Sequence, residues 1–403
     1  MRILIYFLAG VALTMSQNNT SKTKNYLDDA TTVFSLELFY EIVLDKPGQS
    51  VVMSGYSVMA PLAQLAFASV GASHDEILKV MGLPNDTVTK DVFLYAKQVL
   101  KSRPGVELET ANSIYIPEGY ELNDEFNSVS KNVFNSDVKQ VNFTNNLEAA
   151  VKINSWVQNH TNNRVTDLID SKSLDSNTRA VIVNAIYFKC NWTDSKKFDP
   201  SLTKVRDFHV TSNKTVKVPT MFKSSKYWYE EDKEIDSKIL KIPYVDEKMY
   251  FLIILPNKVD GVTALAHEQV FKKSGKLKKN LQNMIETEVD LYLPKFKFEN
   301  FLHVKKYLQT LGVTSIFDQN KAKLVNLVKN NGSDLFISNI FQKAVFSVSE
   351  EGSEAAAATG VTGMGSSLYP VKKQAFVADH PFFFLIVDGD RTLFNGVYYG
   401  EDN

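Results

Sequence analysis

The chain has few residues arranged for catalysis. His267-Glu268 opens the pattern of a zinc-binding helix, but Phe271 stands where the second histidine would have to be. His74, His160, His209, His303 and His380 are scattered without the spacing a metal ion needs. There is no Gly-x-Ser-x-Gly elbow, no Cys-x-x-Cys and no glycine loop able to cradle phosphate. Neither a catalytic residue nor a metal or other cofactor is therefore expected. The stretch with the most unusual chemistry is Ser349 to Pro370, SEEGSEAAAATGVTGMGSSLYP. Read alone, Glu350 to Thr359 is a short helix of acids followed by four alanines, the best helix formers. Gly352 argues against that, and Gly360, Gly363 and Gly365 forbid its extension. The Gly/Ser/Thr half has no apolar periodicity, so it reads as an exposed loop. In a compact protein a loop of this length is usually functional or disordered.

Composition narrows the class of protein around that loop. Apolar residues make up 44% of the 403 and charged residues 23%, an ordinary globular balance. A net charge of -1 gives no reason to expect nucleic acid as a partner. Met1 to Ser16 reads as a secretory leader: Arg2 is the positive start, Ile3 to Met15 the apolar run, and Thr14 and Ser16 the small residues before a cut at Gln17. The run is too short to span a bilayer, and no later stretch is long enough. Sequons at Asn18, Asn19, Asn85, Asn142, Asn159, Asn191, Asn213 and Asn331 fit a secreted, extracellular glycoprotein. Cys190 is the only cysteine, so the core must hold the fold without an intrachain disulfide.

The elements that must position the loop follow from local pattern. Val33, Phe34, Leu36, Leu38, Phe39 and Val43 form a helical stripe, and Val51 to Met53 a short strand. Ser57 to Val70 reads as a buried helix stopped at Gly71. Ser73-x-x-Glu76 reads as a capping box for the next helix. Asp91 to Ser102 is expected to be helical and Val106 to Ile116 a strand. In Asn146 to Asn159, Leu147, Ala150, Val151, Ile153, Trp156 and Val157 suggest an amphipathic helix. Ala180 to Phe188 is a nearly unbroken apolar run, as in a strand buried on both faces. Phe208 to Val218, Ile239 to Ile242 and Met249 to Leu255 read as strands, Ala264 to Leu281 and Leu302 to Leu311 as helices. Phe336 to Val348 is a strand running into the loop. Beyond the loop, Phe382 to Val387 and Thr392 to Tyr399 form a hairpin around Asp388-Gly389. No linker, composition shift or repeat divides the chain, so one α+β domain is expected over 17–403.

Four segments carry a family resemblance. Glu350-Glu351-Gly352-Ser353-Glu354-Ala355-Ala356-Ala357-Ala358-Thr359 resembles the hinge of an inhibitory serpin's reactive loop. Phe376-Val377-Ala378-Asp379-His380-Pro381-Phe382-Phe383-Phe384 resembles the carboxy-terminal signature of that family, in the right order and at about the right separation. Asn184-Ala185-Ile186-Tyr187-Phe188-Lys189-x-x-Trp192 is similar to the family's Asn-x-x-x-Phe-Lys-x-x-Trp segment. Ser54-Gly55-Tyr56-Ser57 resembles its Ser-Pro-x-Ser, with Gly55 in place of proline. The resemblance covers nearly all of the chain after the leader. It implies several helices around a large mixed central sheet, smaller antiparallel sheets, and a reactive loop at about 350–375.

The resemblance also assigns residues. It implies that Ser54, Ser57, Asn184 and Gln342 lie under the central sheet where its strands part. Gln342 stands where most vertebrate members have histidine; a glutamine donates and accepts but does not titrate. The plainer reading is that these are satisfied buried polar residues, and the two readings overlap. Trp192 would mark the top of the sheet, and Glu350 with Lys295 the hinge carboxylate and its lysine partner. The implied activity is suicide inhibition: a serine protease cuts the loop, and the freed hinge inserts as a strand and carries the acylated enzyme with it. Counting along that strand, Ser353, Ala355, Ala357, Thr359 and Val361 face the core, and Glu354, Ala356, Ala358 and Gly360 face away. The family's spacing places the reactive bond at Ser366-Ser367, with Met364, Leu368 or Tyr369 as bait if the register shifts. No Lys or Arg lies between Glu354 and Tyr369, which favours an elastase-, subtilisin- or chymotrypsin-like target over a trypsin-like one. Lys272, Lys273, Lys276, Lys278 and Lys279 read as a solvated helix face, or else as a site for a sulfated polysaccharide. A monomer is expected, with no membrane contact. The rival functions are a non-inhibitory serpin acting as carrier or chaperone, and a secreted enzyme.

Overall fold

The computed structural model describes residues 2–267, 281–329, 334–353 and 373–400, with side chains from Thr20 onward. Its helices include α1 (Arg2–Asp45), α2 (Gly55–Ala68), α3 (Ala72–Met81), α4 (Asp86–Val99), α5 (Asp124–Asn132), α6 (Asn146–His160), α7 (Gly261–His267) and α8 (Lys305–Leu311). The strands of one sheet are β2 (Val106–Pro117), β3 (Ser136–Val141), β4 (Val181–Asn191), β10 (Phe296–His303), β11 (Asn339–Val348) and β12 (Gly352–Ser353). The other sheet contains β1 (Val51–Met53), β5 (Lys204–Thr211), β6 (Lys214–Asp232), β7 (Ser237–Pro243), β8 (Met249–Pro256), β9 (Ile285–Pro294), β13 (Gln374–Val377), β14 (Phe382–Asp388) and β15 (Arg391–Tyr398).

The six-stranded sheet is mixed, in the order β10-β11-β4-β2-β3, with β12 added on β4. The apolar run at Ala180 to Phe188 becomes β4, buried along that run because it has strands beside it and packed layers on both faces. One of those layers is α6, whose Ala150, Ile153 and Val157 meet Tyr115, Val183 and Phe341 of the sheet. Leu147 and Val151 of α6 lie outside that contact, 65% and 57% exposed. The nine-stranded sheet runs β1-β15-β14-β8-β7-β6-β9-β13, with β5 on β6. It is antiparallel except where β13 joins β9. β6 spans 19 residues, long enough to pair with β5 near its start and with β7 and β9 further along. The β14–β15 hairpin is the one expected around Asp388-Gly389. β1 pairs with β15, which brings residues 51–53 to the far end of the chain. No helix among the described residues is long and apolar enough to cross a membrane.

Several local expectations give way to tertiary partners. α1 is continuous from Arg2; Phe34, Leu36, Leu38 and Phe39 are fully buried, while Val33 is on the outside at 40% exposure. The buried helix α2 ends at Ala68 with Ser69 extended, and Gly71 instead begins α3 with φ +59. Ser73 does not cap α3: its Oγ accepts the amide of Lys323, and Glu76 binds Thr314 and Ser315 instead. Phe208 to Val218 is not one strand but the β5–β6 hairpin, turned where Thr211 Oγ1 accepts the amides of Asn213 and Lys214. Leu302 and His303 complete β10, and the helix expected there begins only at Lys305. The helix expected at Ala264 to Leu281 is described as α7 through His267; the lysine cluster lies outside the described residues. Gly55 has a steric reason: a Cβ there would sit 2.1 Å from Ser35 Oγ, so a proline has no room beside α1.

Candidate functional site

The site is the seam between β4 and β11. The two strands pair in parallel from Val181/Asn339 to Tyr187/Val345 and then part. Within the paired stretch, Asn184 and Gln342 are register partners, and Asn112 of β2 is the partner of Asn184 on the other side. Under them, Ser54 caps α2 by accepting the amide of Ser57. Gln342 Nε2 donates toward Asn184 Oδ1 (2.7 Å), Ser57 Oγ (2.8 Å) and Ser54 O (2.9 Å), and Gln342 Oε1 accepts the Ser54 amide at 3.2 Å. Ser57 Oγ donates to Asn184 Oδ1 at 2.8 Å. Asn184 Nδ2 in turn donates to Ser57 O (2.9 Å) and Asn112 Oδ1 (2.6 Å). Ser54, Ser57, Asn184 and Gln342 are all buried, so each bond replaces one that water cannot supply. The family resemblance points to these four; nothing in the sequence points to Asn112.

Above the paired stretch, the chain leaving β11 makes a tight turn. Ser349 and Gly352 exchange backbone hydrogen bonds of 2.7 and 3.2 Å, with Glu350 and Glu351 at the corner. Glu350 is buried, yet Lys295 Nζ lies 2.8 Å from its carboxylate and Thr203 Oγ1 donates to it at 2.9 Å. Burial pushes the carboxyl pKa up; the lysine and the donors more than offset this and hold it below the ordinary value. The corner is also held by its backbone, with the Phe198 amide on Glu350 O and the Trp192 amide on Glu351 O. Trp192 is fully buried, donates Nε1 to Ser349 O at 2.9 Å, and stacks on Tyr244 with ring centroids 4.7 Å apart and planes 4° apart.

From this corner Gly352 and Ser353 turn back as β12. They pair antiparallel with β4, Gly352 opposite Asn191 and Ser353 opposite Cys190, in the space β11 has vacated. Gly352 is obligatory there: its φ is +149, and a Cβ would lie 2.1 Å from Cys190 O. Ser353 is fully buried, its Oγ 2.6 Å from Tyr244 Oη. Cys190 beside it is buried, which pushes its thiol up to about 12 and leaves it unreactive. Glu354 to Thr359, Met364, Ser366, Ser367, Leu368 and Tyr369 lie outside the described residues, as do Lys272, Lys273, Lys276, Lys278 and Lys279. Tyr244, Thr203 and Asn112 are the members that sequence reasoning does not single out. Each is an ordinary residue of a strand, its end or a loop, and nothing local marks it.

Two strands parted at one end, a buried polar cluster holding them at the other, and a two-residue strand begun between them define a sheet built to receive a strand. The chain belongs to the serpin family: the family model described as Serpin (serine protease inhibitor) matches residues 29–399. Among its relatives, alaserpin of Manduca sexta is 43% identical over 98% of this chain and 99% of its own length. Antichymotrypsin-2 of Bombyx mori is 42% identical over 93% of this chain and 98% of its own. Among solved structures, Serpin48 of Tenebrio molitor, described as a highly specific serpin, superimposes with a TM-score of 0.83 at 30% identity, covering 93% of this chain and 98% of that one.

Proposed function

We propose that this chain is a secreted inhibitor of serine proteases that traps its target as an acyl-enzyme. It serves as a substrate and is not itself an enzyme. The observation that most supports this reading is β12, already seated on β4 where β11 has departed. In the sequence, small or β-branched residues, Ala355, Ala357, Thr359 and Val361, follow Ser353 at alternate positions, the spacing of one face of a strand. A protease serine attacks the carbonyl of Ser366, the amine of Ser367 leaves, and an ester ties the enzyme to the new end of the loop. Freed there, the segment after Ser353 extends β12 between β4 and β11 and gains ladder hydrogen bonds on both sides. The bond from Gln342 to Asn184 spans the same gap, so it has to open as the strand passes. The uncleaved fold is then held by a barrier and is not the lowest state of the chain.

The absence of lysine and arginine between Glu354 and Tyr369 directs this reading to elastase-, subtilisin- or chymotrypsin-like enzymes. Met1 to Ser16 is read as a leader removed before Gln17, and residues 17–403 as one monomeric domain carrying glycans on some of its sequons. The lysines at 272–279 remain a candidate surface for a sulfated polysaccharide. The deciding experiment incubates the secreted protein with a panel of serine proteases and looks for a complex that survives SDS. Capture should be fast with a chymotrypsin- or elastase-like enzyme and slow with trypsin, and mass spectrometry of the released peptide should place the cut at Ser366-Ser367. A cut after Lys372 or Lys373 would overturn the register. Clean cleavage without any stable complex would favour a carrier or chaperone.

A further inference from the structure

We infer that Tyr244 is a positioning residue for insertion: its hydroxyl seats Ser353 in the seam and so sets the register in which the new strand grows. This rests on the inhibitory reading above. Tyr244 follows β7 directly, is fully buried, and forms an isolated bridge with Trp192. Its ring lies parallel to Trp192 on one side and edge-on to Phe188, with the Phe188 centroid 5.9 Å away and the planes 73° apart. This packing on two sides holds the side chain against the sheet, and with it the position of Oη. That place is 2.6 Å from Ser353 Oγ. Both hydroxyls are cut off from water, and each supplies the other's partner. Burial holds the Tyr244 phenol well above its ordinary pKa, so it stays neutral.

The pair is selective for one residue of the hinge. Gly352, one position earlier, has no side chain to offer. Glu354, one position later, would bring a carboxylate against a buried phenol. Of these three, only Ser353 presents a neutral hydroxyl, and it does so opposite Cys190 of β4. Because side chains alternate along a strand, seating Ser353 toward Tyr244 sends Ala355, Ala357 and Thr359 to the same side and Glu354 to the other. A slip of one residue would reverse every one of them. The hydroxyl pair therefore selects the register before the rest of the strand arrives.

The test begins with the uncleaved protein, by hydrogen–deuterium exchange read at the amides of Trp192 and Gly352, which bond to Glu351 O and Ser349 O. Tyr244→Phe keeps the ring and removes only Oη. It should speed exchange at these amides by about tenfold or more. Ser353→Ala should do the same, the double variant should add little to either single one, and Ser353→Thr should behave as wild type. In the stoichiometry of inhibition, Tyr244→Phe and Ser353→Ala should each consume more inhibitor per protease trapped, and Ser353→Thr should not. Unchanged exchange, or fully additive effects of the two substitutions, would overturn the latch. Faster exchange with an unchanged stoichiometry would overturn its part in insertion. If the wild-type chain traps no serine protease at all, the inhibitory reading fails, while the exchange data still decide whether the latch exists.

Discussion

Among single residues, Asn184 is the hub of the seam, joined to Ser57, Gln342 and Asn112 in a site closed to water. Removing one partner from such a cluster leaves the others unsatisfied. Gln342→Ala should therefore cost about 1–3 kcal/mol of stability, read as a lower urea midpoint of the uncleaved protein; an unchanged midpoint would mean the cluster does not hold the strands. Glu350 makes a pH prediction. Its folded pKa lies below the ordinary 4.5, so its contribution is present above that value and is lost as pH falls through the folded one. Wild type should be more stable than Glu350→Gln near neutrality, and the difference should vanish in acid when denaturation is followed across pH. Family resemblance makes Ser54, Ser57, Asn184, Gln342, Glu350, Lys295 and Trp192 legible. Asn112 is not, because it meets Asn184 from 72 positions away and no local pattern states which residues of two strands become partners.

Among the elements, the strand proposed to insert carries the sharpest test. Ser353 faces inward beside Tyr244; once the strand inserts, alternation would put position 357 on that face and position 358 on the other. Ala357→Arg would bury an unpaired guanidinium, which is very unfavourable. Insertion should stall and the acyl-enzyme hydrolyse, so that the variant is cut at the wild-type bond but no longer traps the protease. Ala358→Arg should do much less harm. Titrating protease against each variant gives the stoichiometry; if both arginines raise it equally, the alternation is misassigned. Other elements are less legible, because a distant partner outweighs a local rule. Glu76 looks like a cap for its own helix, yet it accepts the amides of Thr314 and Ser315. Leu302 has the spacing of a helical residue, yet it pairs with Gln342 across β10 and β11, and the helix waits until Lys305.

For the molecule as a whole, the six-stranded sheet is open at its seam: β4 and β11 are parted at one end, with two residues of a further strand between them. Cleavage of the loop between Met364 and Tyr369 should complete that sheet and raise the unfolding midpoint sharply, as scanning calorimetry would record; an unchanged melting curve after a clean cut would argue against insertion. Neighbouring residues are enough to specify a doubly buried strand at Ala180 to Phe188, a hairpin around Asp388-Gly389 and a small-sided segment after Gly352. They do not say where that segment is seated. Its seat is made by β4, by a turn pinned on Lys295, Thr203 and Phe198, and by Tyr244, which is 109 residues from Ser353. The width of a seam depends on strands drawn from distant parts of the chain, and no short-range pattern encodes that distance.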